Sequence, residues 1–73
     1  MILIYIGNRI KEIRHSQQLT QEDLANKSKL DRTYLAGVEN GKRNISIINL
    51  EKILTALYTD FAEFFKNNEE EEK

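Results

Sequence analysis

Between residues 31 and 44 the sequence concentrates side chains that can read the edges of DNA bases. Arg32 can donate two parallel hydrogen bonds to guanine, and Thr33 offers a hydroxyl and a methyl group, which are the groups that direct readout of the major groove uses. Ala36 and Gly37 follow one helical turn later with little or no side chain, so a base could approach the backbone closely there. The predicted base contacts are therefore Arg32, Thr33, Ala36 and Gly37.

Polar side chains on either side of this stretch suit phosphate groups better than bases. Gln21 stands at a predicted helix N-terminus, where free N–H groups and the helix dipole attract anions. Lys42 and Arg43 lie in the loop after the candidate reading segment and could grip the opposite side. A Lys-Arg pair after a helix is usually solvated surface, and only its position beside that segment favours a functional interpretation. The phosphate contacts predicted from this pattern are Gln21, Asn40, Lys42, Arg43 and Asn44.

Hydrophobic periodicity and capping residues predict the helices that must position these side chains. Apolar residues at helical spacing from Leu3 to Ile13 predict a first helix that ends near Gln17. No strand-like alternation occurs, so the predicted fold is an all-α, compact bundle of about five short helices. The later helices are predicted to start after the capping residues Thr20, Asp31, Ser46 and Asp60. They are predicted to cover 21–28, 32–40, 47–58 and a brief stretch from 61. Gly41 is predicted to end the third helix in the left-handed conformation.

The second and third predicted helices, joined by a connection of about four residues, form a helix-turn-helix, whose second helix lies in the major groove of DNA. The third helix has two sides: Leu35 and Val38 face inward, and the opposite side carries no large apolar group. Gly37 within this helix costs roughly 1 kcal/mol relative to alanine. Either the backbone approaches DNA or another helix closely at this point, or the glycine is simply tolerated.

Length and charge bound the class of protein. Seventy-three residues make one domain, predicted over 1–66, and the acidic run at the end is predicted to be a disordered tail over 67–73. The formal net charge is -1, yet residues 1–58 carry nine Lys or Arg against six acids, whereas 59–73 carry two against six. The DNA-binding prediction therefore depends on how charge is distributed and not on its total.

The composition argues against redox, metal and membrane chemistry. There is no cysteine and only one histidine, so neither a disulfide framework nor a cysteine-based zinc site is expected, and no cofactor is predicted. The apolar start, Met1–Ile6, lacks a basic leader and a cleavage site and is far shorter than the ~20 residues of a membrane span. These features predict a cytoplasmic protein.

Apolar residues near the C-terminus exceed what one face of a small core needs. The fourth helix is predicted to bury a stripe of Ile47, Leu50, Leu54 and Leu57, which leaves Ile48, Ile53 and Tyr58 beside it. Surplus apolar surface usually marks a partner site and here predicts a homodimer. The alternative is that the short fifth helix folds back and covers all of it. The predicted dimer interface consists of Ile47, Ile48, Leu54, Tyr58, Phe61, Phe64 and Phe65.

Several segments together resemble the lambda-repressor-like (XRE) helix-turn-helix domains over nearly the whole chain. The resemblance is carried by Ile6-Gly-Asn-Arg-Ile10, Leu19-Thr-Gln-Glu-Asp-Leu-Ala25, Leu30-Asp-Arg-Thr-Tyr-Leu35, Val38-Glu-Asn-Gly-Lys-Arg-Asn44 and residues 46–57. Within that family, segments 30–35 and 42–44 are most similar to the controller proteins of bacterial restriction-modification systems.

This resemblance implies a dimeric regulator that binds operators upstream of its own gene and of the endonuclease gene, with two dimers on adjacent sites as an option. It implies that Arg32 and Thr33 face base edges. It also implies that Tyr34, Gln21 and Arg43 lie against the sugar-phosphate backbone.

Two further pairs of residues take their interpretation from the resemblance. Arg14 is implied to pair with Glu39 inside the monomer, which is a structural role. Glu22 and Asp23 are implied as a contact surface for RNA polymerase during activation. Their alternative interpretation is that they are ordinary acids at a helix start, which the helix dipole favours.

Three other classes compete with this interpretation. An enzyme finds no support, since the chain has one histidine, no cysteine and no phosphate-cradling glycine loop. An antitoxin or phage-type repressor of the same helix-turn-helix family is the runner-up, but 67–73 is too short and too acidic to wrap much of a toxin. A helical bundle that binds only proteins would leave Arg32, Thr33 and Arg43 without a role.

Overall fold

The computed structural model describes residues 1–66, and the acidic tail predicted over 67–73 lies outside the described residues. The helices, in chain order, are α1 (Ile2–Ser16), α2 (Gln21–Ser28), α3 (Arg32–Glu39), α4 (Ile47–Ala56) and α5 (Phe61–Phe65). No strand occurs between residues 1 and 66. The predicted all-α bundle of five short helices is confirmed.

Four helices begin where their capping residues predict. The side-chain oxygens of Thr20, Asp31, Ser46 and Asp60 each accept a hydrogen bond from the backbone N–H three residues later, at 3.0, 3.0, 3.0 and 2.8 Å. Each bond satisfies one of the N–H groups that the first turn of a helix leaves without an internal partner. Local cap chemistry therefore sets the starts of α2 to α5.

The ends of α1 to α4 depend on residues in the left-handed backbone conformation. Gly41 ends α3 in this way, as predicted, with a φ of 72°. Gln18, Lys29 and Tyr58 do the same after α1, α2 and α4, with φ of 61°, 60° and 60°. In each case the next N–H bonds to a carbonyl five residues earlier, at 2.9 to 3.0 Å. The ends of α1, α2 and α4 were predicted to within two residues, but the left-handed conformation of Gln18, Lys29 and Tyr58 was not, because none of them is glycine.

One buried cluster joins all five helices. Phe64, its largest member, is fully buried, so α5 folds back onto the bundle. Arg9 of α1 holds α5 in place, because its Nε donates a hydrogen bond to the Phe64 carbonyl at 3.1 Å. The cluster consists of Ile6, Ile10, Leu24, Ala25, Leu35, Val38, Leu50, Ile53, Leu54, Leu57 and Phe64.

Helix α1 crosses α3 at a point where no side chain would fit. A carbon placed at the Cβ position of Gly7 would lie 2.5 Å from the carbonyl oxygen of Val38 and 2.6 Å from that of Glu39. Gly7 therefore allows the two backbones to approach each other closely. The role of Gly7 was not predicted from the sequence, since the residues that it meets, Val38 and Glu39, are far away in the chain.

Part of the predicted dimer interface is wrong. Leu54 and Phe64 have exposed fractions of 1% and 0% and belong to the core of the monomer. The predicted stripe of α4 is also shifted, because Ile53 is buried whereas Ile47 is exposed. Helix α4 packs against α2, and that contact selects the buried side from an apolar pattern broad enough to allow either choice.

Candidate nucleic-acid interface

Helices α2 and α3 form the predicted helix-turn-helix. Each has eight residues, and they are joined by a short turn in which Lys29 ends α2 and Asp31 caps α3. Helix α3 buries Leu35, Val38 and Glu39 against the bundle and turns its opposite side outward. A helix held in this way on the surface of a bundle can enter a major groove.

The outward side of α3 starts with Arg32 and Thr33, both exposed, and continues with Ala36 and Gly37, both half-buried. Asp31 uses its carboxylate to cap α3 and does not hold the neighbouring Arg32. Neither of the two ion pairs formed within residues 1–66 involves Arg32, so its guanidinium is available to a ligand. The four predicted base contacts thus share one side of α3, and their contact with bases stays a prediction.

The start of α2 lies next to the start of α3. Gln21 and Arg32 line one open cleft of about 540 Å³, together with Arg14 and His15. The Gln21 amide donates one hydrogen bond to Oε1 of Glu39 at 3.1 Å, which leaves its second N–H free for another acceptor. Glu39 is also paired with Arg14, as the resemblance implies. The second N–H of Gln21 and the guanidinium of Arg32 are donors on which a phosphate could be held in this cleft, whose lining also includes the carboxylate of Glu22.

Arg43 is exposed after α3, yet its side chain has defined neighbours. Its Cζ lies 5.1 Å from the centre of the Tyr34 ring, within the range of a cation–π interaction. The hydroxyl of Tyr34 accepts a hydrogen bond from Nδ2 of Asn49 at 3.2 Å, which ties the ring to α4. The structure thus brings together two predicted backbone contacts, Tyr34 and Arg43. Asn49 was not predicted to belong here, because only the fold places α4 beside α3.

The remaining predicted phosphate contacts lie at the C-terminal end of α3. Asn40, Lys42 and Asn44 are all exposed. The backbone N–H of Lys42 bonds to the carbonyl of Gly37 at 2.9 Å, so the loop begins from a fixed point. Their positions are compatible with phosphate contacts, which remain predictions.

Asp23 has a structural role at the start of α2. Its Oδ2 accepts a hydrogen bond from the Thr20 N–H at 2.9 Å, while the Thr20 hydroxyl accepts one from the Asp23 N–H at 3.0 Å. The backbone and then the side-chain hydrogen bond with Thr20, followed by the charge of Lys27, hold the pKa of Asp23 below its ordinary 3.8. This capping box accounts for Asp23 as a helix-start acid. A polymerase contact through Glu22 and Asp23 stays a prediction.

Apolar side chains remain exposed in two parts of the chain. Ile47 and Ile48, the first residues of α4, and Tyr58, which follows its end, are exposed by 67%, 64% and 81%. From the predicted interface, Phe65 is also exposed and Phe61 is half-buried. A second exposed apolar set, for which no contact was predicted, lies within residues 1–4 and consists of Met1, Ile2 and Ile4.

Two further kinds of feature, a metal site and a membrane span, are not found among the described residues. Among residues 1–66 no three His, Cys, Asp or Glu side chains come together in a way that could hold a metal ion. None of the helices formed by these residues is long and apolar enough to cross a membrane.

Comparison with known proteins adds sequence and structural relatives. A family model described as helix-turn-helix matches residues 10–64. Control protein C.MunI of Mycoplasma sp is 45% identical over 71 residues, which cover 96% of each chain. The restriction-modification controller protein C.AhdI from Aeromonas hydrophila is similar in structure, with a TM-score of 0.83 and 46% identity over 86% of this chain and 96% of that one. The controller protein C.Esp1396I, solved as a tetramer in complex with its natural 35-base-pair operator, has a TM-score of 0.84 and 45% identity over 89% of this chain and 86% of that one.

Proposed function

We propose, because this chain belongs to the helix-turn-helix family and within it to the restriction-modification controller proteins, that it is a transcriptional regulator that binds operator DNA as a homodimer. The observation that carries the proposal is the outward side of α3, where Arg32 and Thr33 are exposed and Arg32 is engaged in neither ion pair of residues 1–66. A controller protein with the same fold and 45% identity is bound to its operator, which supports the same use of α3 here.

In the proposed complex α3 lies in the major groove. Arg32 donates two hydrogen bonds to a guanine, and Thr33 contacts a neighbouring base, with Ala36 at the next turn. These contacts carry the sequence preference, because each base pair presents its own pattern of donors and acceptors in this groove.

The flanking groups bind the sugar-phosphate backbone and fix the register of α3. Tyr34 and Arg43 act as one unit, since the guanidinium lies over the tyrosine ring. Gln21 and the N–H groups at the start of α2 bind a phosphate on the other side of α3. Asn40, Lys42 and Asn44 complete the set. Such contacts position the protein but carry little sequence information.

A homodimer places two copies of α3 on two half-sites of one operator. The exposed apolar residues Ile47, Ile48, Tyr58 and Phe65, with the half-buried Phe61, are the candidates for its interface. A solvent-exposed set of this kind is typical of a surface that a partner covers. The tetramer of C.Esp1396I on its operator supports a second dimer on an adjacent site.

The proposed biology follows from the same relatives. The protein controls its own gene and the gene of a restriction endonuclease, with RNA polymerase as a further partner through Glu22 and Asp23. It works in the cytoplasm, catalyses no reaction and needs no cofactor, because its output is occupancy of DNA.

A gel-shift titration with duplex DNA, repeated at increasing salt, tests the proposal. The wild-type protein is expected to retard the duplex, and its affinity should fall as salt rises because bound phosphates release counterions. Arg32→Ala should bind a cognate operator more weakly, whereas Lys66→Ala, which removes the same charge from the end of α5, should bind as the wild type does. Absence of retardation at low salt would refute the proposal and leave a protein-binding helical bundle.

A further inference from the structure

The end of α3 turns the chain back so that Arg43 lies beside Gly37. Gly41 adopts a φ of 72°, its N–H bonds to the Val38 carbonyl at 3.0 Å, and the Lys42 N–H bonds to the Gly37 carbonyl at 2.9 Å. This pair of bonds is the Schellman arrangement, which reverses the chain direction within a few residues. The aliphatic part of the Arg43 side chain consequently lies next to the last turn of α3.

The side chain of Arg43 occupies the space in which a side chain of residue 37 would stand. A carbon at the Cβ position of Gly37 would lie 2.5 Å from Cγ of Arg43 and 3.5 Å from both Cβ and Cδ. Carbon atoms in favourable contact are about 3.5 to 4.0 Å apart, so the closest of these distances is strongly repulsive. Gly37 lies within α3 and needs no positive φ, so its absent side chain matters because of the room that it leaves for Arg43.

The far end of Arg43 rests on a ring that is itself fixed. The guanidinium lies over Tyr34, whose hydroxyl is held by the Asn49 amide. Asn49 in turn belongs to the first turn of α4, where its backbone N–H bonds to the Ser46 hydroxyl at 3.0 Å. The arginine is therefore supported along its stem by α3 and at its head by a residue anchored to α4.

We propose that Gly37 and Asn49 are positioning residues that seat Arg43 across the outward side of α3, ready to bind DNA, and that neither needs to touch DNA itself. This inference rests on the proposed function. It differs from the predicted role of Gly37 as a base contact, because the space next to Gly37 is taken by Arg43. A long side chain that is ordered before binding loses less conformational entropy on binding. Ordering one such side chain beforehand should lower Kd by about two- to tenfold.

A double-mutant cycle with Gly37→Ala and Arg43→Ala separates the two roles of Gly37. Gly37→Ala should weaken binding to a cognate duplex by about two- to tenfold in the wild-type background and should have no effect when residue 43 is already alanine. An equal loss of affinity in both backgrounds would mean that Gly37 meets DNA directly. No loss in either background would mean that the position of Arg43 beside Gly37 does not affect DNA binding. Alanine favours a helix more than glycine does, so α3 should persist in the variant, and thermal unfolding checks this.

A second double-mutant cycle tests Asn49, with Tyr34→Phe as the partner variant that keeps the ring and removes the hydroxyl. Asn49→Ala should weaken DNA binding in the wild-type background. It should have no further effect in the Tyr34→Phe background, because Asn49 is proposed to act through its hydrogen bond to the Tyr34 hydroxyl. Additive losses would overturn the positioning role of Asn49.

A measurement without DNA keeps the inference apart from the proposed function. In the free protein the NMR signals of the Arg43 side chain should be shifted by the ring current of Tyr34, and the shift should collapse in Gly37→Ala and in Tyr34→Leu. Identical Arg43 signals in wild type and Gly37→Ala would overturn the seat even if DNA binding is confirmed. A collapsed shift in a protein that binds no duplex would instead refute only the proposed function.

Discussion

Arg14 and Glu39 are 25 positions apart in the chain and form two hydrogen bonds, Nε to Oε2 at 2.7 Å and Nη2 to Oε1 at 2.8 Å. The remaining groups of this buried pair are also used: Nη1 of Arg14 donates to the Leu19 carbonyl at 2.8 Å, and Oε1 of Glu39 accepts from Gln21. The pair therefore joins the ends of α1 and α3 to the start of α2.

The first prediction concerns this pair. Glu39→Ala should lower the free energy of unfolding by about 3 to 5 kcal/mol, because it leaves a buried guanidinium without its counter-charge. Glu12→Ala is the matched control, since Glu12 pairs with Arg9 at the surface with 70% of its side chain exposed, and it should cost less than about 1 kcal/mol. Urea unfolding of both variants makes the comparison. Equal losses would show that the buried pair does not hold the fold.

The second prediction concerns the dimer. Ile48→Asp should give a folded monomer that binds an operator weakly, because it places a charge in the apolar surface at the start of α4. Ile2→Asp changes an isoleucine of similar exposure, 57% against 64%, at the start of α1 and should leave the dimer intact. Sedimentation velocity at micromolar protein concentration distinguishes the two. A wild-type protein that remains monomeric under these conditions would contradict the proposed dimer.

The third prediction separates two neighbouring aromatic residues that were both assigned to the interface. Phe64→Ala should lower the free energy of unfolding by about 3 to 5 kcal/mol, since the ring is fully buried in the core. Phe65→Ala should cost clearly less, because Phe65 is 37% exposed and packs against Phe64 and Tyr5 from outside. Thermal and urea unfolding should both rank the variants in this order. The reverse order would mean that α5 does not fold back as described.

The fourth prediction concerns pH. The pKa of Asp23 is lowered in the folded protein from 3.8, so its ionised form stabilises the fold above that pH, and this contribution is lost as the pH falls through the lowered pKa. Thr20→Val removes the side-chain hydrogen bond but keeps the backbone N–H, so the pKa of Asp23 should rise only part of the way to 3.8. A carboxyl titration by NMR measures this change. An unchanged pKa would show that the Thr20 hydroxyl has no part in it.

Some features of the fold could be predicted because they depend on neighbouring residues. Thr20, Asp31, Ser46 and Asp60 cap helices through bonds to N–H groups three residues away, and such chemistry is visible in the sequence. The left-handed conformation of Gln18, Lys29 and Tyr58 could not be predicted in the same way, because local preference alone would favour glycine. Each residue stands in a turn that is closed when the next N–H bonds to a carbonyl five residues earlier.

In the candidate site, too, some features could be predicted from neighbouring residues and others depend on the fold. Arg32 and Thr33 could be chosen by residue type and by their place after a cap. The seat of Arg43 could not, because it depends on Gly37, Tyr34 and Asn49 meeting across a reversed chain. Gly37 illustrates the limit: its cost in a helix indicated a close approach or tolerance, and the approaching group turned out to be Arg43 of the same chain.

Arg32, on the outward side of α3, is proposed to read a base. Selection from a library of randomised duplexes, with wild-type protein and Arg32→Ala side by side, tests it most directly. The wild type should enrich two half-sites that each contain a preferred guanine, and Arg32→Ala should lose about 1 to 3 kcal/mol on that sequence and its preference at one base pair per half-site. Selection of the same guanine with equal stringency by both proteins would contradict the claim.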